Sequence, residues 1–152
     1  MSATDTALVD GLAASSSPIR APADAGVHLV HGLVDVVAIF TPAVQVCVYR
    51  RPLLLRLQAA LAQQVQAGAL VGFRRVVDAG RPLPPLPLPE RAIAAGAAQE
   101  LGFLVDVFGE LLGCPRIGLR LEVLDRAMCP RWHRDHNGIR LLCTWLGPGT
   151  QW

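Results

Sequence analysis

Ile117-Gly118-Leu119-Arg120-Leu121-Glu122-Val123-Leu124 leads, four residues later, into Cys129-Pro130-Arg131-Trp132-His133-Arg134-Asp135. In the first block Ile117, Leu119, Leu121 and Val123 alternate with Arg120 and Glu122, the period-two pattern of a strand with one face buried. In the second, His133 and Asp135 stand two residues apart. On an extended backbone such residues point to the same side, so an imidazole and a carboxylate can be aimed at one point. A nitrogen and an oxygen donor so placed make two thirds of the 2-His-1-carboxylate triad that holds non-haem iron. Arg140-Leu141-Leu142-Cys143-Thr144-Trp145 follows beyond an Asn137-Gly138 hairpin signal and reads as a further strand. Gly147-Pro148-Gly149-Thr150-Gln151-Trp152 closes the stretch as a Gly-rich turn.

Upstream, the chain alternates in character. Residues 1–26 are rich in Ala, Ser, Thr, Asp and Pro without periodicity and read as a disordered tail. A single domain is expected over residues 27–152. Val34–Phe40 and Val44–Tyr49 are β-rich runs separated by a Thr41-Pro42 turn signal, the pattern of a hairpin or of a strand leading into a short element. Pro52 suits the first turn of a helix, and Leu54, Leu57, Leu61 and Val65 continue it at spacings of three and four. Gly68 is its natural stop. Val71–Val77 reads as a strand with its turn at Asp78-Ala79-Gly80. Five prolines between Arg81 and Pro89 exclude helix and central strand and predict an extended linker. A long helix is expected from Glu90 to Leu112, carried by Ile93, Ala97, Leu101, Leu104, Phe108 and Leu111 and ended by Gly113. The order is that of an α+β protein.

Composition narrows the function classes. The chain has 152 residues, enough for one core, and a formal net charge of +2. That charge argues against nucleic acid or an anionic membrane as partner, and the few aromatics are not interleaved with the arginines. Mean hydropathy is high at +0.39. Yet charges at Asp35, Arg56, Glu100, Asp106 and Glu110 break the apolar regions before the roughly 18–20 residues a membrane span needs. The N-terminus lacks a basic region followed by an apolar one, so no secretory signal is read there. A cytoplasmic protein is expected. Cys47, Cys114, Cys129 and Cys143 form no CxxC pair and read first as small buried hydrophobes.

Several readings of the chemistry compete. Cys129, His133, His136 and Cys143 are all zinc-ligand types, although their spacing is that of no familiar finger. Cys129 near His133 is the nearest approach to a nucleophile with a base. The plain structural reading makes His133 a turn residue, pairs Asp135 with Arg140 and puts the cysteines in the core. His28 and His31 read as solvated, Glu122 as a polar-face residue and Asp125 as a strand end. No phosphate-binding Gly loop is present.

The C-terminal stretch resembles the first half of the double-stranded β-helix of Fe(II)/2-oxoglutarate dioxygenases. The matching positions are His133, Asp135, Thr144, Trp145, Gly147, Gly149, Thr150 and Trp152. It is closer still to an uncharacterised bacterial family known as a domain of unknown function, which carries Cys-Pro-Arg-aromatic-His-x-Asp and Arg-Leu-x-Cys-Thr-aromatic-x-Gly-Pro-Gly-Thr-x-Trp. Tyr49-Arg50-Arg51-Pro52-Leu53 is similar to an aromatic-x-Arg-x-Leu block of the same family.

These resemblances imply N-terminal helices and strands followed by the opening strands of a cupin-like β-helix, incomplete at residue 152. They imply Fe(II) at His133 and Asp135, 2-oxoglutarate as cosubstrate with Arg140 and Thr144 as its contacts, and a small-molecule or protein substrate. They also imply a second histidine in a later His-Arg-Ser-Pro-like segment that this chain does not contain. The chain is therefore expected to be an inactive fragment of a metal-binding protein, prone to self-association through uncovered faces around Leu142, Thr144 and Trp145. The alternative is a non-catalytic zinc or regulatory protein.

Overall fold

The structure is a computed structural model, and it describes residues 26–126 and 138–149. Within these, strand β1 (Val27–Val30) is followed by a 3₁₀ helix (Leu33–Phe40), β2 (Val46–Tyr49), α1 (Leu55–Gln66), β3 (Phe73–Asp78), α2 (Glu90–Ala94), α3 (Ala97–Leu112) and β4 (Arg116–Leu121). The strands form two small sheets. β1 pairs with β2 in parallel, and β3 pairs with β4 antiparallel. The class is α+β. No helix among the described residues is long and apolar enough to cross a membrane.

The β1–β2 unit corrects the reading of Val34–Phe40 as a strand. That run is the 3₁₀ crossover between two parallel strands, and the strand paired with β2 is Val27–Val30, which the sequence reading passed over. Parallel neighbours require such a crossover, whereas a tight hairpin would join antiparallel ones. The Asp35 carboxylate fixes the start of the turn by accepting from the Gly32 N–H at 3.1 Å. The Thr41 N–H closes it by donating to the Ala38 carbonyl at 2.9 Å. No residue of the 3₁₀ helix is fully buried, and Val34, Val37 and Phe40 are exposed.

α1 forms where its periodicity predicts. It starts at Leu55 rather than Pro52, with Leu54 as its N-cap and Leu57 and Leu61 buried against the core. Gly68 ends it at a φ of +64°. That left-handed conformation costs a glycine little and other residues more.

The expected long helix from Glu90 to Leu112 is two helices. Gly96, at a φ of +105°, separates α2 from α3. The buried stripe of α3 is Ala97, Leu101, Val105 and Gly109, while Ile93 is exposed. Spacing by four along that stripe turns α3 onto both α1 and the β3–β4 sheet. Gly113 terminates α3 in the left-handed region, as its position predicts.

β3 and β4 run from Phe73 opposite Leu121 to Asp78 opposite Arg116. Val77 and Ile117 face each other and are buried with Val105 of α3 beneath them. Two contacts hold this sheet on α3. The Gly80 N–H donates to Asp106 Oδ1 at 2.8 Å, and Gly109 lies under Ala79 so closely that a Cβ there would stand 2.4 Å from the Ala79 Cβ. On the outer face Arg74 and Arg120 are directly opposite, and Glu122 accepts from Arg120 and lies 3.8 Å from Arg74. One carboxylate thus offsets the repulsion of two like charges on neighbouring strands. β4 ends at Leu121, three residues before the alternation in the sequence stops.

Leu57, Leu61, Leu70, Leu88, Ala92, Ala97 and Leu101 form the main core, closed by half-buried residues that include Leu53, Leu83, Leu86 and Trp145. Residues 81–89 stay irregular, as five prolines demand, and supply Leu83, Leu86 and Leu88 to this core. Residues 138–149 contain no regular strand, which corrects the strand expected over Arg140–Trp145. They are held instead by side chains, through Trp145 in particular.

Candidate functional site

Arg51 is the centre of a partly buried polar cluster that joins separate segments of the chain. It follows β2 and precedes α1, where Pro52 stiffens the backbone. Its guanidinium meets Glu100 of α3 with both arms: Nη1 donates to Oε2 at 3.1 Å and Nη2 donates to Oε1. The guanidinium carbon lies 5.0 Å from the ring centroid of Phe103, one turn further along α3. A planar cation held by a two-armed carboxylate and an aromatic face is fixed in orientation, which a lysine could not reproduce. The Arg51 and Glu100 side chains are 22% and 13% exposed, so the pair is largely withdrawn from water.

Cys143 comes to this cation from the other end of the chain. Burial pushes its thiol above the ordinary range; Arg51, by charge and by hydrogen bonding, and the Trp145 indole pull it the other way without prevailing. By area Cys143 is an exposed residue. The two observations fit a side chain open to solvent on one side whose sulfur is turned towards Arg51 and Trp145. Trp145 packs against the main core, and its buried Nε1 has no fully formed hydrogen bond among the described residues. An N–H in that condition costs about 1–3 kcal/mol when no acceptor takes it, and the weakly accepting thiol beside it is a partial answer.

The expected site residues divide. His133 and Asp135, the proposed metal pair, lie outside the described residues, as do Cys129 and His136 of the zinc alternative and Thr150 and Trp152 of the Gly-rich turn. Arg140 and Thr144 are described, and both are exposed. Thr144 Oγ1 lies 3.8 Å from where a Cβ on Gly149 would stand, so the 144–149 turn folds back on itself. Leu142 is exposed, as expected of an uncovered face, while Trp145 is not. His28 and His31 are exposed, in keeping with a solvated pair. Among the described residues no group of three or more His, Cys, Asp or Glu side chains is placed to hold a metal ion.

Sequence reasoning marked Tyr49–Leu53 and Arg140–Trp145 as separate blocks and did not see that they meet. It noted Glu100 as a charge interrupting an apolar region. The signal that could have found the pair was there: a lone carboxylate on the α3 side that also carries Ala97 and Leu101 must be compensated when it is withdrawn from water.

An α+β protein whose C-terminal segment is packed on a helical core through a tryptophan, beside an arginine–carboxylate pair that joins the end of β2 to α3, is what the fold and this cluster define. The chain belongs to the family described as "Protein of unknown function (DUF1826)", whose model matches residues 31–152. That match takes in the 3₁₀ crossover, the Arg51 cluster and the His133-x-Asp135 pair together. No curated protein matches the chain, and no solved structure matches it.

Proposed function

We propose that this chain is part of a cytoplasmic metal-binding protein of the Fe(II)/2-oxoglutarate oxygenase type, acting on a small molecule or a protein. His133 and Asp135 would supply two ligands, and β4 would be an opening strand of a cupin-like β-helix. When bound, the iron would supply open positions for 2-oxoglutarate and O₂. The protein's own part would be to hold the metal through the His133 imidazole and the Asp135 carboxylate, with Arg140 and the Thr144 hydroxyl as the contacts to the cosubstrate.

The observation that carries the reading is the His-x-Asp pair between two structured anchors. β4 fixes the chain upstream of it, and the Trp145–Cys143 contacts fix the chain downstream. The zinc alternative is weighed down by the surroundings of Cys143. A dication ligated there would lie beside the Arg51 guanidinium, and its ligand would have to be the thiolate that burial disfavours.

The test is titration of the purified chain, and of a longer relative that continues through a His-Arg-Ser-Pro-like segment, with Fe(II) under anaerobic conditions and with Zn²⁺. The relative should bind one metal per chain and this chain weakly, without 2-oxoglutarate turnover. His133→Ala or Asp135→Ala in the relative should abolish binding, and His136→Ala should leave it unchanged. Loss of metal from Cys129→Ala, His136→Ala and Cys143→Ala, with Asp135→Ala spared, would establish the zinc site and overturn the oxygenase reading.

A further inference from the structure

We draw no further inference here: the strongest candidate, the Cys143 thiol beside Arg51 and the buried Trp145 indole on the segment packed against the helical core, belongs to the site already described and is a lone cysteine with no second observation pointing to a ligand.

Discussion

Arg51 and Glu100 stand 49 residues apart in the chain and meet in a two-armed ion pair at the junction of three segments. Arg51 brings the end of the β1–β2 unit, Glu100 brings α3, and the Cys143 thiol brings the C-terminal segment. A single guanidinium therefore links three segments that also meet in the main core through Leu53, Leu101 and Trp145.

Glu100→Gln should destabilise the fold by about 2–3 kcal/mol, because it strands a largely buried cation rather than removing a pair. Urea unfolding followed by circular dichroism measures the loss. Arg51→Lys should recover little of the stability lost in Arg51→Ala, since an ammonium cannot pair both carboxylate oxygens and face Phe103 at once. Stability equal to wild type in Arg51→Lys would show that charge alone matters.

Two glycines on α3 should respond to alanine with opposite signs. At Gly109 the new methyl meets Ala79 at 2.4 Å and the Cys114 carbonyl at 3.1 Å. Overpacking of that kind costs about 1–3 kcal/mol and outweighs the ~1 kcal/mol gain in helix propensity. At Gly102 the methyl makes an ordinary contact with Leu83 at 3.9 Å, so Gly102→Ala should stabilise by about 0.5–1 kcal/mol. Denaturation midpoints of the two variants, moving in opposite directions from the wild type, are the expected result.

The Cys143 thiol should stay protonated to a higher pH in the folded protein than in the unfolded chain. Because the folded value is the raised one, its contribution to stability is fully present below the ordinary thiol range. It is lost as the pH rises through the folded value. In a variant whose other cysteines are replaced by serine, alkylation of Cys143 should be slow at neutral pH and reach its plateau later than in denaturant. Arg51→Gln should shift that profile higher still, since it removes a donor and a charge that favour the thiolate.

The 3₁₀ segment should govern solubility. Val34 is 79% exposed and Val37 58% exposed, and apolar surface left uncovered in this way promotes association. Val34→Glu with Val37→Glu should reduce concentration-dependent light scattering while changing the unfolding free energy by less than about 0.5 kcal/mol. An unchanged scattering profile would place the sticky surface elsewhere, with exposed Leu55, Val71 and Leu142 as the next residues to replace.

What could be read from the chain follows the physics of each element. α1 and β4 announce themselves because one period of burial decides each. The helix from residue 90 onward is also legible, apart from its break, because Gly96 within a periodic run does not declare whether it will take a positive φ. The Val34–Phe40 run misleads because β-branched residues suit a strand by propensity. Its place between two parallel strands overrides that preference, as tertiary context does for short segments. β1 escapes notice because four residues containing His28 give too little alternation. At the site, the residue types around Arg51 were visible but their meeting was not. Contacts between residues 51, 100 and 143 arise from packing, which no local pattern encodes.

The register of β3 on β4 also has a kinetic side. Phe73 and Leu121 lie at the two ends of a length of chain that holds the proline-rich stretch, α2 and α3, and they pair with each other. The first hydrogen bond of that sheet can form only when the intervening chain has been drawn back on itself, which sets an entropic toll before any reward. The helices, whose contacts are local, can form early, and the sheet should zip last. Backbone amides of Arg74–Asp78 should accordingly gain protection from solvent exchange later than those of Leu101–Phe108 when refolding is sampled in pulses.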